Sequence, residues 1–191
     1  MRLAAFLLLL LLPACPAQAD GVLQDLITAE DKARLAQFDE VKEKALKEAR
    51  SGGTGADIRI LNDAMAGTPL STGGAFDATG KWSCRTIKMG GGLALTVYSP
   101  FRCSVSDDGS GWFLKKLSGS QRTQGRFYSE SDTRMIYLGA GHIHDEPPRK
   151  YGEDARENQI AVVERLGENR LVLQFPKPAY ESDFDLLVLE R

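Results

Sequence analysis

The sequence predicts an α+β fold: an N-terminal helical hairpin packed on an antiparallel, barrel-like β-sheet of about eight strands. Three observations predict it. Apolar residues recur at three- and four-residue steps between Leu35 and Ala49, and the pattern switches to period two from Lys81 onward. The second half breaks into short alternating segments separated by turn residues, the spacing of an antiparallel meander. Residues 184–190 are apolar on both faces, so they need cover from outside as well as inside.

The first 19 residues are expected to be removed before the fold matters. Arg2 precedes ten consecutive apolar residues, Leu3 to Leu12, and Ala17-Gln18-Ala19 supplies small residues for cleavage before Asp20. A spanning helix needs about 20 apolar residues, so the run reads as a signal peptide and not as an anchor. The implied location is the periplasm or the secreted fraction. A competing reading takes Cys15, after Leu12-Pro13-Ala14, as a lipoprotein attachment site.

Residues 20–67 read as the helical hairpin. Thr28 and Asp31 mark a helix start, since a threonine side chain can accept from free N–H groups of the first turn. Leu35, Phe38, Val41, Ala45 and Ala49 form one apolar stripe, and Gly52-Gly53 ends it. Thr54 and Asp57 mark a second start, followed by Ile58, Leu61 and Met65. Residues 68–80 are rich in Gly, Ser and Thr and read as a linker.

Residues 81–191 hold the expected barrel. Strands are predicted at 81–88, 93–105 with a bend at Ser99-Pro100, 111–117, 122–128, 133–139, 159–166, 170–175 and 184–190. A long loop, 140–157, carries two prolines, many charges and Tyr151. Loops of that length are often functional, and this one could act as a lid.

Two cysteines, Cys84 and Cys103, remain after cleavage before Asp20. An even count in an oxidising compartment predicts one disulfide. A hairpin turning at Gly90-Gly91-Gly92 would set the two nearly opposite on the core side. Neither a Cys-x-x-Cys spacing nor a neighbouring base points to redox activity.

The chain carries 24 basic and 26 acidic residues, a net charge of −2, so it lacks the basic stripe that nucleic acid requires. Three residue sets could bind a ligand. His142 and His144 are the only histidines; in an extended segment both rings would share a side, and Asp145 could join them on a metal. Gln121, Arg122 and Arg126 are dense donors that could hold an anion, although the arginines could equally pair with Asp183 or Glu181. Trp82 and Tyr151 complete the candidate ligand-binding set. No nucleophile–base arrangement is present.

Cys84-Arg-Thr-Ile-Lys-Met-Gly90, Phe101-Arg-Cys103, Lys116-Leu-Ser-Gly-Ser-Gln-Arg122 with Gly125-Arg126, Tyr137-Leu-Gly139, Tyr151-Gly152, Glu164-Arg165, Phe175-Pro-Lys-Pro178 and Glu181-Ser182 resemble an uncharacterised bacterial exported family, domain-of-unknown-function family 4893. The resemblance spans the mature chain. It implies export but no particular activity, ligand or catalytic residue. Where the family carries tyrosine before the first cysteine, this chain has Trp82. In shape, Gly80-Lys81-Trp82 with the terminal Arg191 is similar to lipocalin-type barrels, where such a tryptophan packs near an arginine.

The reading that follows is a non-catalytic module, monomeric and without a cofactor, that binds a small molecule or an envelope protein. The alternative is a metal-dependent or other hydrolytic enzyme using His142, His144 and Asp145. A filled barrel interior would favour an interaction role, and a polar cavity near His142 and Arg122 would favour binding or catalysis.

Overall fold

The computed structural model describes residues 19–191, with side chains from Leu23 onward. Residues 1–18 of the expected leader, Cys15 among them, lie outside the described residues. Four helices come first: α1 (Ala19–Leu26), α2 (Ala29–Ala36), α3 (Phe38–Gly52) and α4 (Gly55–Met65). Nine strands follow: β1 (Gly80–Met89), β2 (Leu95–Val97), β3 (Phe101–Asp107), β4 (Trp112–Lys116), β5 (Gln121–Ser129), β6 (Arg134–Ile143), β7 (Asn158–Gly167), β8 (Arg170–Pro176) and β9 (Phe184–Glu190).

Both predicted helix starts are capped as read. The Thr28 side chain accepts from the Asp31 N–H, and that of Thr54 accepts from the Asp57 N–H. The long helix expected through Ala49 is broken at Gln37, whose N–H turns back to Arg34 O. The break lets Phe38 dip toward the barrel, where its ring centroid lies 5.7 Å from that of Phe184. It also lets the two halves follow a curved surface, α2 against β7 and α3 against β1, β2, β8 and β9.

The strands form an antiparallel meander that closes, because β9 pairs with β1 from Ser83↔Glu190 to Met89↔Phe184. The opposite edge of β1 is shared. β3 pairs with Gly80–Cys84, and β2 pairs with Ile87–Met89. The single strand expected over 93–105 is therefore two, separated at Tyr98–Pro100. Pro100 has no N–H to give the ladder, so the pairing is interrupted there. The result is an eight-strand closed barrel in which β2 and β3 occupy one position.

Alternation sorts the apolar residues into two cores. Trp82, Cys84, Cys103, Val105, Leu114, Phe127, Tyr137, Leu173 and Leu189 fill the barrel interior. Ile87, Met89, Ile136, Leu138, Val162, Val172, Phe184, Leu186 and Val188 face outward, beneath Leu23, Ile27, Phe38, Val41, Ala45 and Leu61 of the helices. The doubly apolar last strand is thus covered on both sides. The Cys84 and Cys103 sulfurs are bonded, with Cα atoms 5.9 Å apart, and join β1 to β3 inside the barrel.

One end of the barrel is plugged. Trp82 is buried there and donates from Nε1 to Ala78 O at 2.9 Å. The Arg191 guanidinium lies 4.3 Å from the indole ring and donates to Thr79 O and Asp77 O, both at 2.7 Å. Phe76 stacks edge-on against Trp112, with Arg165 over its other side. The segment read as a linker is therefore a stopper for this end.

Candidate functional site: a polar barrel mouth

The interior changes character toward the other end. Continuing each strand's inward face past the apolar core gives Thr86 and Lys88 on β1, Lys116 on β4, Gln121 and Thr123 on β5, Gln159 on β7 and Asp185 on β9. With Phe175 they line an inner recess of about 70 Å3. An outer recess of about 310 Å3 shares Thr86, Lys88, Lys116 and Gln121, and adds Tyr98, Phe101, Ser120 and Glu181.

Gln121 ties the two lysines together. Lys88 is only 3% exposed and donates from Nζ to Gln121 Oε1 at 3.1 Å and to Glu181 Oε2 at 2.6 Å. Lys116 donates to Gln121 O at 2.8 Å, with its ammonium 4.0 Å from the Phe101 ring centroid. Burial, then the neighbouring Lys88 charge, pull the Lys116 amine down to about 8. Burial pushes the Asp185 carboxyl up to about 6, although the Ser182 hydroxyl donates to it at 2.5 Å. The Lys88 ammonium holds Glu181 below the usual carboxylate range. Deeper in, Thr123 and the Tyr137 hydroxyl bond at 2.6 Å, and Gly139 leaves room for that hydroxyl, since a Cβ there would collide with it.

The rim is built by two loops. Gly90, Gly91 and Gly92 turn with positive φ after β1, and a Cβ on Gly91 would lie 2.9 Å from Glu181 O. The β8–β9 connection, 177–183, packs against this turn. It holds Lys177 and Glu181 at positive φ, 48° and 70°, an uncommon conformation for residues with side chains. Lys44 and Lys177 both pair with Asp183, at 3.2 and 3.1 Å, and Tyr180 donates to Glu157 at 2.7 Å.

The candidate residues from sequence distribute unevenly around this mouth. Gln121 and Arg122 line it, and the Arg122 Nε donates to Gly119 O at 3.2 Å. Trp82 is at the plugged end. Arg126 sits on the outer wall, where it pairs with Asp108 and lies 5.3 Å from the Phe113 ring, so its partner is neither Asp183 nor Glu181. Tyr151 donates to the buried Asp31 at 2.5 Å and accepts from Thr28 N at 3.1 Å, pinning its loop to α2. Burial and Asp31 push this phenol up to about 12.

The loop expected at 140–157 is shorter, because β6 continues to Ile143 against an early start of β5 at Gln121. Its Arg149–Tyr151 stretch lies on the barrel wall, while Glu157 meets Tyr180 of the 177–183 segment at the rim, beside a recess of about 270 Å3 that also holds Arg122, His142 and Gln159. His142 consequently lies in a strand, opposite Arg122, and its Nδ1 has no hydrogen-bond partner among the described residues. Burial, reinforced by Arg122, lowers its pKa. His144 is exposed and contacts its neighbour Asp145. His142, His144 and Asp145 are not gathered into a metal-holding group, and no set of three or more such residues is found among the described residues. Lys88, Lys116 and Asp185 were missed as site residues. The signal was available: each continues the inward alternation of an apolar strand with a charge.

The fold and mouth define a class: a closed eight-strand meander barrel, plugged at one end, with a polar recess at the other. The chain belongs to the family described as a domain of unknown function (DUF4893), whose profile matches residues 23–189. No curated protein and no solved structure matches it. Among the described residues, no helix is long and apolar enough to cross a membrane.

Proposed function

We propose that the protein is exported and acts as a non-catalytic binding module whose barrel mouth takes a small carboxylate-bearing molecule. The observation that carries this reading is the paired Lys88 and Lys116 in a recess walled by Thr86, Thr123, Gln121 and Gln159. Lys88, Lys116 and Arg122 outnumber the acidic Asp185 and Glu181, so the recess favours an anion. The Gln159 Oε1 is buried without a partner among the described residues, leaving an acceptor for a ligand hydroxyl. Size argues against a lipid or a large cofactor, because the rest of the interior is filled by side chains. Glu181, 52% exposed on the rim, occupies Lys88 as a ligand carboxylate would.

Calorimetric titration with acetate, lactate, pyruvate and succinate tests this. At least one should bind, Lys88→Ala should weaken it about tenfold or more, and Arg126→Ala should leave it unchanged. Glu181→Gln, which removes the competing carboxylate, should tighten binding. Equal heats from the parent and the Lys88→Ala protein would sink the reading. Export is checked separately by the N-terminal residue of protein recovered from the envelope fraction, expected to be Asp20.

A further inference from the structure

We propose that Lys116 captures 2-oxo acids covalently, as a reversible imine at the inner end of the mouth. This rests on the carboxylate-binding reading above and deepens it by naming the ligand class.

Four features of the geometry point there. Lys116 lines both the inner and the outer recess, and its Nζ lies 4.0 Å from the ring centroid of Phe101 in the outer one, so a ligand entering from the rim meets it. Among the described residues it has no carboxylate partner within ion-pair distance; its hydrogen bond goes to the Gln121 carbonyl. Lys88, held on the same glutamine, can take the ligand carboxylate in place of Glu181. Asp185 lines the same inner recess and can carry a proton. A lysine amine becomes a nucleophile when burial and a neighbouring cation disfavour its ammonium form, and both act on Lys116.

The step balances without an oxidant or reductant. The neutral Lys116 nitrogen attacks the ketone carbon, forming the C–N bond as the carbonyl π electrons move to oxygen. The nitrogen gives up a proton to the Asp185 carboxylate. Asp185 passes that proton to the alkoxide oxygen, giving the neutral carbinolamine; the second nitrogen proton then follows the same route to the hydroxyl, which leaves as water as the nitrogen lone pair forms the C=N bond. Hydrolysis by the reverse path releases the acid. Lys115, the next residue, faces outward from the same strand and serves as an internal control.

The experiment incubates the full mature chain with pyruvate or glyoxylate and cyanoborohydride, then locates adducts by intact mass and peptide mapping. One reduced adduct at Lys116 is expected, formed about tenfold or more faster than at Lys115, because an amine titrating near 8 has far more neutral form at pH 7.5 than an ordinary lysine. Its rate should rise about fivefold between pH 7 and pH 8 and then flatten. Lys116→Arg should abolish the adduct. Asp185→Asn should slow it. Labelling spread over exposed lysines, or unchanged in Lys116→Arg, would overturn the proposal. Lactate binding without trapping of either oxo acid overturns imine formation but leaves the carboxylate site standing. Failure of all four acids to bind, together with failure of trapping, overturns both.

Discussion

At the scale of single residues, the mouth is held by charged groups whose ordinary ionisation the fold opposes. Asp185 titrates near 6 when folded and near 3.9 when unfolded. Between those values the folded chain holds more protons, so stability falls as pH rises from about 4 to 6. Asp185→Asn removes that slope. Denaturant unfolding at pH 4.5 and pH 7 should show wild type losing about 2 kcal/mol relative to the variant across the interval. Lys116 acts with the opposite sign in a higher window. Its folded value near 8 lies below that of a free lysine, so the unfolded chain holds more protons between about pH 8 and 10.5 and stability rises there. Lys116→Met should flatten that rise. In sequence these residues look like solvated charges. Only their place in the alternation, two residues beyond Thr86 or before Leu187, marks Lys88 and Asp185 as inward-facing.

At the scale of elements, the helices serve as the outer wall of the barrel's weakest-patterned strands. β1 and β9 are apolar outward at Ile87, Met89, Phe184, Leu186 and Val188, and α3 lies across them. Phe38, 6% exposed at the break between α2 and α3, joins the two layers. Phe38→Ala should cost about 3 kcal/mol or more, because the cavity left between layers can collapse only partly. Thermal unfolding checks it, and a loss below 1 kcal/mol would mean the helices are loosely docked. The stripe that builds α3 and the two threonine caps were legible in sequence, since both are local. The break at Gln37 was not, because the curvature of the sheet decides it. The extension of β6 to Ile143 was hidden for a similar reason: a strand ends where its neighbour stops pairing, and β5 supplies partners up to Gln121.

At the scale of the whole molecule, closure is the central event. Pairing β1 with β9 joins elements about a hundred residues apart and leaves neither β1 nor β9 as an open edge of the sheet. The Cys84–Cys103 bond, with a sequence separation of 19, fixes the first two strands of that circuit. Replacing both cysteines with serine should lower stability by about 3 kcal/mol through the freed unfolded chain, read as a drop in denaturation midpoint with little change in slope. The plug of Phe76, Ala78 and Arg191 against Trp82 closes one end, so exchange with solvent runs through the lysine-lined mouth.

The sequence by itself determined the helix stripe and caps, the antiparallel order of the strands, the two cysteines that pair and the strands needing outside cover, because each is written in short-range periodicity and turn chemistry. Which end of the barrel is open, which loop stands at its rim and which charges meet inside were decided by tertiary structure alone. Those depend on register and closure, which bring Lys88, Lys116, Gln121 and Asp185 from four strands into one recess that no local pattern encodes.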